Sequence, residues 1–344
     1  MGRVEQQVTM RDVAAVAGVS VSTVSRALKG SGRMAEGTRR RILEAADRLD
    51  FHPNALAQSF ATGRSLTVGI LTHKAAGTFA TPVITGIMQT LSQHDIAVVV
   101  YDDQSNPASR PENLRRLRAR HVDGVIVVGD GTDHSFHSVA HALQVPVVYA
   151  FAVSEDPRDQ MLLPDDRAAG VLAAEHLLAM GRTRIAHVTA NASSRAVRER
   201  TEGFVGRLEE HGLELAAPVQ HGDWTRAWGT AAGELLDPAT IDAVFCGNDF
   251  IALGLVPSLV RRGIRVPDDV AVIGYDNWAK FGLLDTFLTT IDPQLDLLGQ
   301  RAAGRLVEAA TGEPRAGVET TEVTLVPGVS SGALADRDER FYPI

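Results

Sequence analysis

Apolar residues recur along this chain of 344 residues in two different rhythms. Over the first fifty positions the spacing is helical. Val13, Ala14 and Ala17 fall on one side of a helix that Thr9 opens, and Asp12 three residues on gives a capping-box-like start. Gly18-Val19-Ser20 breaks the pattern. Gly18 suits a left-handed turn position, Val19 plugs the space between two helices, and Ser20 caps the next one. A second helix is predicted over Val21 to Leu28, with Val24 and Leu28 inward. A third is predicted over Glu36 to Asp50, with Ile42, Ala45, Ala46 and Leu49 inward. From residue 66 the rhythm changes to short unbroken apolar runs: 67–71, 97–101, 124–128, 146–150, 185–189, 243–246 and 270–275. Amphipathic stretches separate them, among them Val83 to His94, Asn113 to His121, Ala168 to Met180 and Phe250 to Arg262. Runs without alternation are strands covered on both faces, which means parallel sheets between layers of helices. The predicted fold class is α/β: an N-terminal all-α helix-turn-helix head, then two Rossmann-like parallel-sheet lobes.

The domain organisation expected from this pattern is a head over residues 1–51, a hinge helix and linker over 52–65, and a two-lobed body over 66–335. The N-lobe takes about 66–163 plus 293–323, and the C-lobe about 164–292 plus 324–335. Ala55 to Ala61 makes about two helical turns, too few to be stable alone in water. The charged tail, 336–344, carries no leucine heptad and so no tetramerising coiled coil.

The chain carries 34 Lys and Arg against 42 Asp and Glu, a net charge of −8. The distribution matters more than the sum. Residues 1–64 hold ten basic and six acidic residues, a net +4, which leaves −12 for the rest. A basic head on an acidic body is expected where only the head meets phosphates. Apolar runs fall short of the roughly 20 residues that span a bilayer. The opening Met1 to Met10 carries Arg3 and Glu5 and no apolar h-region, so a cytoplasmic protein is expected. The one cysteine, Cys246, excludes an intrachain disulfide and a multi-cysteine metal site.

In a helix-turn-helix the second helix enters the major groove of DNA. Val21, Ser22, Ser25, Arg26 and Lys29 lie on its outward face. Arg26 can grip guanine O6 and N7 with both arms of its guanidinium, Ser22 can bond several bases, and Val21 can meet a thymine methyl. Thr9, Thr23 and Ser25 offer short hydroxyls to phosphate oxygens. The plainer alternative is a small helical bundle with a polar face.

The run Val8-Thr9-Met10-Arg11-Asp12-Val13-Ala14, with Ala17-Gly18-Val19-Ser20, Thr23-Val24-Ser25-Arg26, Thr38-Arg39 and Pro53-Asn54, resembles the head of the lactose-repressor (LacI/GalR) family. The likeness continues through Ala57 into 65–70. It implies further DNA contacts at Ser20, Asn54 and Ala57. It also implies two hinge helices paired in the minor groove, where a leucine from each subunit wedges between base steps. Phe60 stands in that leucine's place, a bulkier wedge.

The body resembles the periplasmic-binding-protein-like sensor of the same family. Pro164-Asp165-Asp166, Glu175-His176-Leu177-Leu178, Gly247-Asn248-Asp249, Val266-Pro267-Asp268-Asp269-Val270 and Gly274-Tyr275-Asp276 carry the likeness. Arg200, expected just ahead of a helix, and Asp276, after an apolar strand, are expected to face one cleft as donor and acceptor for a polyol ring. The bland alternative is that they form an ion pair between the lobes. The resemblance puts an aromatic wall at Trp224. Phe79 is the candidate for the opposite wall, with Trp228 and Trp278 as further stacking candidates. Asn248 and Asp249 either reach the cleft or hold Asp276 in place.

The reading that follows is a dimeric DNA-binding transcription regulator, a repressor by expectation. Its affinity for double-stranded operator DNA is switched by a small sugar-like effector between the lobes, with no cofactor, metal or membrane. A purine- or nucleoside-responsive corepressor system is the alternative, and a sugar-binding transport protein without DNA is a third. Enzyme motifs fail on inspection. Gly328-Val329-Ser330-Ser331-Gly332 matches a nucleophile elbow, which requires a later histidine, and the last one is His221. Gly129-Asp130-Gly131 lacks the third glycine of a dinucleotide fingerprint. His134, His137 and His141 lie at i, i+3 and i+7, so a helix would show them on one face, where they could bind a metal weakly; a solvated face is the expectation.

Overall fold

The structure, a computed structural model, describes residues 8–28, 33–51, 63–72, 75, 77–103, 106–129, 131, 135–281, 287–310, 312 and 315–333. The chain divides into two compact units between Leu66 and Thr67.

The first unit holds α1 (Met10–Ala17), α2 (Val21–Leu28) and α3 (Glu36–Arg48). Asp12 accepts hydrogen bonds from Thr9 N at 2.8 Å and Thr9 Oγ1 at 2.7 Å, which pins the start of α1. Gly18 closes that helix in the left-handed region, φ 67° and ψ 38°. Residues with a Cβ pay about 1–2 kcal/mol for that conformation. Val13, Val24 and Ile42 are fully buried between the three helices, packed with Ala14, Ala17, Ala27, Ala45 and Ala46. The small inward residue of α2 is thus Ala27, while Leu28 is half-buried. α3 stops at Arg48, short of the expected Asp50, because Leu49 caps it and Asp50 turns to φ 51°.

The second unit begins with β1 (Thr67–Thr72), α4 (Ala80–Ser92), β2 (Ala97–Asp102), α5 (Arg110–Ala119), β3 (Gly124–Val128), the short β4 (Ser135–Phe136), α6 (Ala140–Leu143), β5 (Val147–Ala150), β6 (Val153–Ser154) and β7 (Gln160–Pro164). It continues with α7 (Asp166–Ala179), β8 (Ile185–Ala190), α8 (Arg195–Glu210), β9 (Gln220–Gly222), α9 (Arg226–Leu235), β10 (Ala243–Cys246), α10 (Asp249–Arg261) and β11 (Ala271–Ile273). It closes with β12 (Thr290–Asp292), α11 (Leu295–Ala309), β13 (Gly317–Thr321) and β14 (Thr324–Val326).

Two parallel sheets result. The first has strand order β13-β7-β5-β3-β1-β2 and the second β11-β10-β8-β9. Each is packed on both faces by separate apolar clusters, as the unbroken apolar runs require.

The chain passes between the lobes three times: from β7 to α7, from β12 to α11, and from β13 to β14. The passages run side by side. Asp165 N donates to Thr321 O at 2.9 Å, and β12 pairs antiparallel with β14 from Thr290↔Val326 to Asp292↔Thr324. Three linked strands confine relative motion of the lobes to a hinge.

One close approach sets the geometry around Arg200. A Cβ at Gly170 would collide with the Arg200 carbonyl, and one at Gly203 with the Arg167 carbonyl. The two glycines let α7 and α8 touch backbone to backbone, which brings the start of α7 beside Arg200.

Candidate functional site

A cleft of about 270 Å³ opens between the lobes, near the lower end of the roughly 300–1,000 Å³ typical of small-molecule sites. Its polar floor comes from the carboxyl ends of the second sheet. Trp224 follows β9, Asn248 follows β10, and Tyr275 and Asp276 follow β11, where open parallel sheets place ligands. Phe79 and Phe151 close it from the first lobe, Phe250 from the second.

Arg200 lies inside α8, not ahead of it. Ser194 caps that helix by accepting from Val197 N at 3.3 Å, so the helix has already begun at Arg195. Its Nε donates to Asp166 Oδ1 at 2.7 Å, and Nη1 donates to the Gly247 carbonyl. The guanidinium carbon sits 3.6 Å above the Tyr275 ring and 5.5 Å from that of Trp224. Arg200 therefore takes its counter-charge from Asp166 within one lobe, rather than from Asp276. Its remaining nitrogen, Nη2, makes no hydrogen bond among the described residues, and Arg200 lines the cleft. Burial pushes the Asp166 carboxyl upward, opposed by the Arg200 charge.

Asp276 is the acceptor on the same floor. Its Oδ2 receives Trp278 Nε1 at 3.1 Å, and its Oδ1 has no partner among the described residues. Its backbone has φ 117° and that of Asn277 φ 55°, conformations that cost of order 1–3 kcal/mol each and gather at binding sites. Burial first, then the neighbouring Asp249 charge, raise its pKa well above the usual carboxylate range; Arg200 opposes them.

Asn248 and Asp249 divide the two roles left open for them. Asn248 borders the cleft, while its Oδ1 accepts from Ile251 N at 2.9 Å and caps α10. Asp249 does not border it. It accepts from Trp278 N at 3.0 Å and Thr290 Oγ1 at 2.6 Å, and its own N donates to Tyr275 O at 2.7 Å. It anchors the turn that carries Asp276 from behind. Burial lifts its pKa to about 7 against those hydrogen bonds.

The aromatic candidates separate similarly. Phe79 stands 5.9 Å from Phe151 and edge-on at 5.3 Å to Trp278, which in turn lies 4.6 Å from Phe250. Trp228 instead donates Nε1 to Thr189 O at 3.0 Å and packs on the apolar core. Sequence reasoning gave no ligand role to Asp166, Phe151, Phe250 or Tyr275. Phe151 and Tyr275 had a signal, since the first directly follows an apolar run and the second ends one, as cleft residues do in this architecture.

On the head, Val21, Ser22 and Arg26 are exposed on one side of α2, and Thr23 and Ser25 are half-buried. Ser20 Oγ accepts from Thr23 N at 3.2 Å and caps the helix, so its hydroxyl is already engaged, as is that of Thr9 by Asp12. Arg26 makes no ion pair among the described residues. Lys29, Asn54, Ala57 and Phe60 lie outside them.

His137 Nδ1 meets Glu155 Oε2 at 2.5 Å, and His141 Nε2 lies 3.5 Å from Asp156. His134 is outside the described residues, among which no group of three or more His, Cys, Asp or Glu is arranged to hold a metal. The elbow-like serines have a different physical reason to be inert from the one chain order suggested. His176 Nε2 lies 2.8 Å from Ser331 Oγ, so a histidine is at hand. Ser330 and Ser331 are 0% and 1% exposed, and Ser330 Oγ donates to Val272 O. They fasten the last segment to the sheet.

Among the described residues no helix is long and apolar enough to cross a membrane. A family model described as periplasmic binding proteins and sugar binding domain of LacI family matches residues 65–332. A second, described as bacterial regulatory proteins, lacI family, matches residues 9–54. The HTH-type transcriptional repressor PurR of Photobacterium profundum is 29% identical over 306 residues, 87% of this chain and 91% of that protein. The ribose operon repressor of Escherichia coli K12 is 29% identical over 307 residues, 88% and 93% of the two chains. The lac repressor dimer bound to operator and the anti-inducer ONPF superposes with a TM-score of 0.72 at 28% identity, over 95% of this chain and 99% of that one. The regulator CelR in complex with cellobiose gives 0.63 at 28% identity, over 94% and 100%. The chain is a DNA-binding transcriptional regulator, not an enzyme, and belongs to the LacI family of bacterial regulatory proteins.

Proposed function

We propose that this protein is a cytoplasmic, homodimeric repressor whose hold on a pseudo-palindromic operator is switched by a small hydroxyl-rich effector, a sugar, bound between the lobes. Residues 1–51 serve as the reader, 52–65 as the hinge and 66–335 as the sensor. Thr9, Ser20, Val21, Ser22, Thr23, Ser25, Arg26, Lys29, Asn54, Ala57 and Phe60 meet DNA. Phe79, Arg200, Trp224, Asn248 and Asp276 meet the effector, with Asp249 behind them.

The observation that carries the effector assignment is the pairing of opposite functions on one cleft floor. Arg200 Nη2 offers a donor and Asp276 Oδ1 an acceptor, beside aromatic faces suited to the apolar face of a sugar ring. Phe79 and Phe151 belong to one lobe and Arg200 and Asp276 to the other, so a molecule touching both sets favours a particular closure. Because three linked strands join the lobes, a change of closure reaches the segment entering β1, and the effector biases a two-state equilibrium of the dimer.

A purine base is the second reading. A flat base stacked against Phe79 and donating N–H to Asp276 uses the same groups, and a purine repressor is among the relatives. The two readings separate in one measurement. Monosaccharides and purines are screened against the full chain by tryptophan fluorescence, and hits are added to an operator-binding titration. A sugar that binds and lowers operator affinity is expected. A purine that binds and raises it would replace the sugar reading.

A further inference from the structure

A second cavity, of about 300 Å³, adjoins the effector cleft and shares Gly131, Phe151, Asp166 and Ala196 with it. The two have opposite chemical character. The first is aromatic and ends at Asp276. The second is lined by Ser135 and Val153 from one lobe and by Ser193, Arg195 and Arg198 from the other. Arg195 is paired with Glu199 at 2.7 Å. Arg198 donates to the Ser193 carbonyl and has no carboxylate partner among the described residues. Among the described residues the one carboxylate lining this cavity is Asp166, which is paired with Arg200. The joined space therefore runs from a carboxylate end to a guanidinium end, with aromatic walls at the carboxylate end.

A neutral sugar ring satisfies only the first half. A cation without a counter-ion beside a bound ligand favours an anionic group on that ligand. Two guanidinium groups one helical turn apart, Arg195 already paired with Glu199 and Arg198 not, share this cavity with the Ser135 hydroxyl of the opposite lobe, a donor set suited to a tetrahedral anion with three acceptor oxygens. A planar carboxylate would be satisfied by a single arginine fork.

We propose that this second cavity is a phosphoryl subsite, so that the effector is a phosphate ester whose ring occupies the first cavity. The inference rests on the effector reading above and refines its ligand class. Its regulatory consequence is that the protein responds to a sugar after phosphorylation, and so reports the output of a kinase or phosphotransfer reaction rather than the free sugar.

All three tryptophans, Trp224, Trp228 and Trp278, lie in the sensor, so fluorescence is blind to anions on the basic head. The full chain is titrated with inorganic phosphate at constant ionic strength, with acetate as the comparison anion. A saturable change with phosphate and none with acetate is expected. Arg198→Ala, an exposed position whose loss should leave melting unchanged, is expected to weaken the phosphate response at least tenfold. No saturable response, an equal response to acetate, or an undiminished response in Arg198→Ala overturns the proposal. Ribose and ribose 5-phosphate form the second arm: inorganic phosphate should compete with the ester and not with the free sugar, and the reverse also overturns it. Asp276→Asn tells the two readings apart. It should leave the phosphate response intact while removing ring binding. If it leaves responses to neutral sugars untouched, the effector reading falls and the phosphoryl subsite stands.

Discussion

Asp166 and Arg200 are 34 residues apart in sequence and 2.7 Å apart in space, and among the described residues each is the other's only ion-pair partner. Their side chains are 12% and 8% exposed. A guanidinium at that depth is tolerated because the carboxylate, the Gly247 carbonyl and the Tyr275 ring replace its water. The pair builds the floor of the effector cleft before any ligand arrives.

Removing one partner should cost more than the pair contributes, because the other is left charged and buried. Asp166→Ala is expected to destabilise the sensor by about 3 kcal/mol, measured as the urea midpoint of tryptophan fluorescence. Asp166→Asn keeps a hydrogen-bond acceptor and should lose less. Equal, negligible losses in both variants would mean that the aromatic faces alone sustain Arg200.

The pairing also marks where the sequence stopped being informative. Strands β1, β3 and β10 were legible because an unbroken run such as Gly124-Val125-Ile126-Val127-Val128 has one physical explanation, burial on both faces. β13 was not: Gly317-Val318-Glu319-Thr320-Thr321 is a polar edge strand whose existence depends on pairing with Gln160–Pro164, more than 150 residues earlier. Asn248 and Asp276 could be singled out because strand ends supply cleft residues, and Trp224 through the family resemblance alone. The counter-ion of Arg200 could not, since any of several carboxylates fits the pattern, and the choice is made by two glycines that let α7 and α8 touch.

Buried acids make stability depend on pH in a definite direction. Asp249 titrates at about 7 in the folded chain, against about 3.9 unfolded. Between those values the folded state holds the extra proton, so stability falls as pH rises and the loss is complete above about pH 7. The sensor is expected to melt at higher temperature at pH 5.5 than at pH 8, and Asp249→Asn should flatten that dependence. A slope of opposite sign between these pH values would show that other groups dominate.

Effector affinity should follow the opposite course. A hydroxyl donating to Asp276 favours its ionised form, whose formation burial and the Asp249 charge resist. Binding then expels a proton, and affinity should rise with pH until Asp276 is ionised in the free protein. Asp249→Asn removes the repelling neighbour, so the rise should move to lower pH. Titration calorimetry in buffers of different ionisation enthalpy reads the proton directly.

On the head, Arg26 is exposed with no ion pair among the described residues, while Ser20 and Thr9 are engaged in capping. Arg26→Ala is expected to lose about 1–3 kcal/mol of preference for operator over random duplex, with effector binding unchanged. Equal losses on both duplexes would make Arg26 a phosphate contact. Ser20→Ala should instead lower the melting temperature of the head, since a lost N-cap costs about 1 kcal/mol.

Phe79 starts α4 in one lobe, and Trp278 follows β11 in the other; their rings meet edge-on at 5.3 Å. Phe151 and Phe250 extend the contact on either side, so an aromatic row bridges the cleft mouth. Such a pair contributes about 0.5–1.5 kcal/mol beyond its buried area, comparable with the bias that sets a closure equilibrium. Trp278 also donates to Asp276, so the row and the polar floor share a residue and closure should align the effector's acceptor. Phe79→Ala removes the bridge without touching Arg200 or Asp276. The free protein should then populate a more open cleft, seen as a larger radius of gyration by small-angle scattering. Effector affinity should fall while a saturating effector restores the closed radius. A Phe79→Ala protein with unchanged radius and affinity would show that the three hinge strands hold the lobes closed by themselves.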